Sequence, residues 1–145
     1  MTTPQTLSRA IRKRLETARV ARLATLDYKQ GPHLIPICFA FDGKVFYSAI
    51  DRKPKRVAPK RLARLKNIAR TPKVALLIDH YEENWARLWY VLVRGNAELV
   101  SNSTERSRAL KLLKRKYQRY ADGMLQDDAI ILRISSRRIT AWGDI

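Results

Sequence analysis

Apolar and polar positions along this chain alternate between helical and strand-like periods. From Thr3 to about Arg19, Leu7, Ile11, Leu15 and Ala18 recur at three- and four-residue spacing, which marks one stripe of an amphipathic helix. Thr3 can cap this helix, and Pro4 suits its first position, where a missing N–H costs nothing. Arg9, Arg12, Lys13 and Arg14 fall off the stripe. Three strands follow. Val20 to Leu26 ends in a turn over Asp27-Tyr28-Lys29-Gln30-Gly31. From Pro32 to Phe41, His33, Ile35, Ile37, Phe39 and Phe41 share one face, while Leu34, Pro36, Cys38 and Ala40 share the other. Asp42-Gly43 suits a type I′ hairpin turn, and Lys44 to Ile50 returns. Pro36 cannot donate to a ladder, so its strand belongs at an edge or a break.

Residues 51–73 change character: ten are basic, and Asp51 is the single acid. Asp51 to Val57 reads as a loop. Pro59 opens a helix through Ala69 with Leu62, Leu65 and Ile68 inward, and Thr71-Pro72 stops it. An aliphatic strand spans Lys73 to His80, followed by a charged aromatic loop, Tyr81 to Trp85. The next strand runs from about Arg87 to Val100, with Gly95-Asn96 marking a bulge. A last helix starts near Asn102, with Glu105 as its capping-box partner, and ends at Ala121-Asp122-Gly123. Strands Ala129 to Ser135 and Arg138 to Trp142 close the chain. The order α-βββ-α-ββ-α-ββ, with hairpin connections, implies a mainly β, α+β domain. It is an antiparallel barrel with flanking helices, not a parallel α/β sheet.

Composition narrows the class. The chain has 145 residues, 46% of them hydrophobic. That supports one core and one domain, 1–145, with the helix of residues 1–19 packed on the barrel. Lys and Arg number 30 against 13 Asp and Glu, a formal charge of +17, so the ligand or partner is expected to be anionic. Cys38 is the one cysteine, which excludes a disulfide framework and a cysteine zinc site and suits a reducing cytoplasm. No apolar run reaches the roughly 18 residues of a membrane span, and no apolar segment follows the N-terminal basic residues as in a signal peptide.

Side-chain catalysis has little to work with. His33 and His80 are the two histidines, without a metal-ligand spacing between them. No Gly-x-Ser-x-Gly elbow, phosphate-binding Walker loop or dinucleotide fingerprint occurs among five glycines. Cys38 reads as a structural thiol. No catalytic or metal-binding residue is assigned, and an enzyme of this composition would take its chemistry from an organic cofactor. One segment, Phe46 to Lys55, has the makings of a phosphate clamp. Ser48 can donate a hydrogen bond, Arg52, Lys53 and Lys55 bring charge, and a helix N-terminus follows. A solvated basic loop explains the same residues, and both readings stand at this point.

Four stretches together resemble the flavin-binding split β-barrel superfamily of pyridoxamine 5′-phosphate oxidase. They are His33-Leu34-Ile35-Pro36-Ile37-Cys38-Phe39, Gly43-Lys44-Val45-Phe46-Tyr47-Ser48, Lys53-Pro54-Lys55, and Lys66 to Leu77 with its Asn67 and Pro72. The segment Asp79 to Trp89 resembles the small deazaflavin-dependent branch, whose members use coenzyme F-420. The likeness covers about Ala18 to Trp142. It implies a six-stranded split barrel that forms a homodimer, with a cofactor in each of two interface grooves. The ring would lie along Pro36 and Ile37, and the phosphate would meet Ser48, Arg52, Lys53 and Lys55. Arg64 falls on a basic family position. Tyr90 stands where pyridoxamine phosphate oxidases place a ring-contacting glutamine, and an apolar residue near Leu34 or Ile35 replaces their arginine. Their C-terminal substrate motif has no counterpart in Ala141-Trp142-Gly143-Asp144-Ile145, so the resemblance points away from that oxidation.

The expected function is therefore an oxidoreductase. It binds coenzyme F-420, or alternatively FMN, and moves a hydride to or from a small organic substrate. Two alternatives remain. One is a basic nucleic-acid-binding module, for which Arg106, Arg108, Lys111, Lys114, Arg115, Lys116 and Arg119 form a run without an intervening acid, although no specific nucleic-acid motif accompanies them. The other is a split barrel that holds flavin or haem without turnover. Trp85, Trp89, Tyr90 and Trp142 fit either a cofactor wall or a subunit interface.

Overall fold

The structure is a computed structural model that describes residues 6–51 and 62–145. Among these residues, seven strands and three α-helices follow in the order α1 (Arg9–Thr17), β1 (Ala21–Asp27), β2 (Gly31–Ile37), β3 (Ala40–Phe41), β4 (Val45–Ala49), α2 (Ala63–Arg70), β5 (Lys73–His80), β6 (Trp89–Leu99), α3 (Ser103–Lys116) and β7 (Ile131–Gly143). The strands form one antiparallel sheet of order β2-β1-β5-β6-β7-β4-β3. Its two edge strands, β2 and β3, are neighbours in sequence, joined by Cys38 and Phe39. The sheet therefore curls until its edges meet through the chain, with no ladder across the seam.

Two apolar layers hold this arrangement. The barrel interior gathers Leu23, Phe39, Phe46, Leu76, Ile78, Val91 and Ile134, all nearly inaccessible to water. Leu15 of α1 is fully buried against it, with Leu7, Ile11 and Ala18 alongside, so the i, i+4 stripe packs as its spacing requires. A second layer lies outside the barrel, where Ala109 and Leu113 of α3 cover Ala40, Tyr47, Ala49 and Ile131. Alternation along β4 serves both, with Phe46 inward and Tyr47 under α3.

Several expectations need correction. The sheet has seven strands instead of six. The stretch 32–41 breaks at Cys38-Phe39, where the chain crosses the seam, and the two C-terminal strands are one continuous β7 bent at a bulge. Helix α1 starts at Arg9, capped by Ser8 Oγ, which accepts from Ile11 N at 3.2 Å; the proposed caps Thr3 and Pro4 lie outside the described residues, as does Pro59. The Asp42-Gly43 turn is not type I′, since Asp42 does not have a positive φ. Asp42 Oδ1 instead accepts from Lys44 N at 2.8 Å and Val45 N at 2.9 Å, with Gly43 at φ 102°. Asn102 does cap α3, accepting from Glu105 N at 2.9 Å. The Glu105 carboxylate, however, turns away from the capping box toward Tyr47 and Arg133, because a buried phenol outcompetes a solvated backbone N–H. Trp89 points into the barrel, 7% exposed, so it belongs to the core and not to the aromatic surface.

Candidate functional site

Two neighbourhoods gather the residues singled out above. The first is the seam. Ser48, at the end of β4 and 5% exposed, donates its hydroxyl proton to Cys38 O at 2.9 Å. This ties the end of β4 to the residue after β2. The carboxyl end of α3 fills the rest of the gap. Tyr117 Oη accepts from Phe39 N at 3.0 Å, and Phe39 O accepts from Lys116 Nζ at 2.9 Å. Burial, with the Arg19 guanidinium nearby, pushes the Lys116 ammonium down to about 8. Burial pushes the Tyr117 phenol up to about 12. Just beyond β4, Asp51 Oδ2 accepts from Tyr120 Oη at 2.6 Å. Arg64, in the first turn of α2, is half-buried; burial opposes its charge, while the Asp51 carboxylate favours it.

The second neighbourhood is the outer face of the sheet. Outward positions line up in rows across the strands. Pro36, Arg22, Leu77, Leu92 and Thr140 form one row, and Asp79, Tyr90 and Trp142 form the next. Arg22 Nη1 donates to Asp79 Oδ1 at 2.7 Å between them. Tyr90 stacks on Trp142 with ring centroids 5.6 Å apart. Leu34 on β2 is 64% exposed and Trp142 53%. From β2 to β6 this strip spans about 14 Å, three strand spacings.

The structure thus sorts the candidate residues. Pro36 is exposed on the edge strand, and Tyr90 lies three strands away on the same face. Ile37 faces the barrel interior. Ser48 and Arg64 sit at the seam side, where the chain leaves β4 and enters α2. Arg52, Lys53 and Lys55 lie outside the described residues. Arg22 and Asp79 were missed from the sequence, and so was the Asp51–Tyr120 pair. The outward parity of positions 22 and 79 was readable, but their pairing needs the β1–β5 register. Among the described residues, no three His, Cys, Asp or Glu side chains come together as a metal site, and no helix is long and apolar enough to cross a membrane.

Residues 7–143 match the pyridoxamine 5′-phosphate oxidase family, nearly the whole chain. The chain belongs to that family. No curated protein matches it. Solved structures similar to this family member include a FAD-binding protein from Mesorhizobium loti, 21% identical, with TM-score 0.68 over 94% of this chain and 95% of that one. The haem storage protein HutZ from Vibrio cholerae is 14% identical, with TM-score 0.70 over 96% and 95%. An F-420 reductase is 23% identical, with TM-score 0.65 over 92% and 98%. At these identities the likeness is one of fold, the split barrel of the pyridoxamine 5′-phosphate oxidase family.

Proposed function

We propose that this chain binds a deazaflavin or flavin in a groove completed by a second copy of itself, and passes a hydride to or from a small organic molecule. The observation that carries the reading is the outward row of Pro36, Arg22, Leu77 and Leu92, apolar but for Arg22 and bordered by the Tyr90–Trp142 stack. A planar ring system fits the apolar part of this surface by its chemistry, with the Arg22–Asp79 pair as the polar group beside it. An anionic tail fits the seam side, where Arg64 is half-buried. Arg52, Lys53 and Lys55 supply further charge from the sequence. Ser48 would join them by turning its hydroxyl away from Cys38 O.

The cofactor, when bound, supplies the hydride chemistry. The chain's own residues bind, orient and exclude water. Pro36 and Tyr90 would bound the ring, while Arg64 and the basic loop would hold the tail. Coenzyme F-420 is the first candidate and FMN the second. The Asp79–Trp89 resemblance, the similarity to an F-420 reductase and the +17 charge support that order, since a basic protein attracts a more anionic cofactor. The fold likeness to FAD-binding and haem-storage proteins supports a second reading, in which the groove holds such a group without turnover. Exposed Leu34, Trp85 and Trp142 support the homodimer, because an apolar face of this kind is covered in a stable assembly. The cytoplasm is the compartment that suits the single thiol.

The test is a titration of the protein with F-420 and with FMN, followed by absorbance and fluorescence. Saturable micromolar binding of F-420, tighter than FMN, is expected. Absence of saturation with both sinks the reading; saturation without turnover of any acceptor favours the storage alternative. Sedimentation equilibrium with cofactor present should show a dimer, and a monomer there removes the shared groove.

A further inference from the structure

Away from the outer face, α1 and α3 flank the β3–β4 turn and leave a cleft of about 560 Å³ between them. Its α3 wall presents Arg108, Lys111 and Arg115. Their spacing of three and four residues puts them on one face of the helix, over roughly 10 Å of axis. Two acids also line the cleft, and both are engaged. Glu16 Oε1 pairs with Arg12 Nε at 2.7 Å. Asp42 accepts from two backbone N–H groups of its own turn. The Arg12 guanidinium lies over Gly43, 2.7 Å from where a Cβ would stand, and so adds a cation from the α1 side. Arg108 is shared with the Tyr47–Glu105 network beneath. Lys111 and Arg115 are exposed and form no ion pair among the described residues. Arg9 and Lys13 on α1, and Arg119 after α3, are further exposed cations.

We propose that this cleft docks the phosphodiester backbone of a nucleic acid, without sequence selectivity. The charges are exposed and spread along a helix, which suits a polymer of regularly spaced anions better than one small anion. A single phosphate needs convergent, shielded donors. A protein partner needs a desolvated apolar centre, whereas Phe41 here is buried and Leu112 is half-covered. A polyanion gains instead by releasing its condensed counterions, which requires no dry surface. The cleft lies on the α3 layer, away from the Pro36–Tyr90 strip, so this inference is independent of the cofactor reading and can be read separately.

The experiment is fluorescence anisotropy of labelled random-sequence duplex DNA and single-stranded RNA, measured across a salt series with a poly-glutamate competitor. Lys111→Glu with Arg115→Glu should weaken binding several-fold and reduce the log-log salt slope on duplex by about two, near one per lost phosphate contact. Lys111→Gln with Arg115→Gln is the milder companion and should show the same direction. Lys29→Glu with Lys66→Glu makes the same charge change at exposed sites elsewhere and should leave the slope nearly unchanged. Thermal melts report folding of each variant. Equal losses in both charge-reversed variants would assign the effect to net charge and overturn the proposal. So would no binding at low salt, a sequence-selective complex indifferent to the α3 changes, or displacement by poly-glutamate at matched charge.

Discussion

Tyr47 is 1% exposed and gives its hydroxyl proton to Glu105 Oε2 at 2.8 Å, while Arg133 Nη1 donates to Oε1 at 2.6 Å. Burial pushes the Glu105 carboxyl up, but these hydrogen bonds outweigh it and hold the group below its usual value. Glu105→Ala strands a buried phenol, at a cost of about 1–3 kcal/mol. That lowers the melting temperature by roughly 2–4 °C per kcal/mol at this chain length. The carboxyl's contribution is present above its unfolded pKa and is lost as pH falls through the lower folded one. The variant's deficit should therefore shrink in acid, and a deficit constant with pH would contradict the network. Lys116 works in the opposite sense. Its folded pKa of about 8 lies below that of a free lysine, so the unfolded chain binds the extra proton between the two. Stability relative to Lys116→Met should rise with pH across that window; a flat difference in chemical denaturation from pH 7 to 10 would show that burial does not strain the charge.

At the scale of elements, the sheet is shaped by its interruptions. The ladder between β6 and β7 shifts register at Arg94/Gly95. A Cβ on Gly95 would stand 2.2 Å from Ser135 O, so only glycine lets the strands approach there. Gly95→Ala should cost roughly 1–3 kcal/mol, as overpacking does, and a melting curve like that of the parent would refute the close approach. The edge strand β2 carries Pro32 and Pro36 at the same parity, where a missing N–H costs no central ladder bond. The break at Cys38-Phe39 then takes the chain across the seam, and Tyr117 and Lys116 satisfy Phe39's backbone in place of a strand partner.

At the scale of the whole molecule, the anion-binding reading and the long-range charge can be told apart. Lys53→Ala with Lys55→Ala should weaken cofactor binding by at least about tenfold and toward a hundredfold. Two charge-assisted contacts are worth about 1.5–3 kcal/mol each before solvent screening, and 1.4 kcal/mol is tenfold. Lys114→Ala with Arg115→Ala removes the same charge from α3, at residues outside the proposed cofactor contacts, and should cost little at physiological salt. Equal losses in the two variants, measured by cofactor fluorescence, would mean that net charge attracts the cofactor and no clamp exists.

Much of this was legible along the chain. Inward parity from His33 to Phe41, the α1 stripe, the Asn102 cap and the Gly95 bulge all follow from local spacing and local chemistry. Pro36 announced an edge because proline lacks a donor wherever it sits. Periodicity cannot report which strands are neighbours. The Arg22–Asp79 pair, the Tyr90–Trp142 stack and the α1–α3 cleft each join positions brought together by registers between distant strands and by the packing of helices. The same limit hid the inward turn of Trp89, whose aromatic neighbours in sequence face solvent, and the diversion of Glu105 to Tyr47. Local sequence determined the elements and their buried faces, because those depend on contacts a few residues apart. The site depends on which faces the closed sheet sets side by side, and only the tertiary structure decides that.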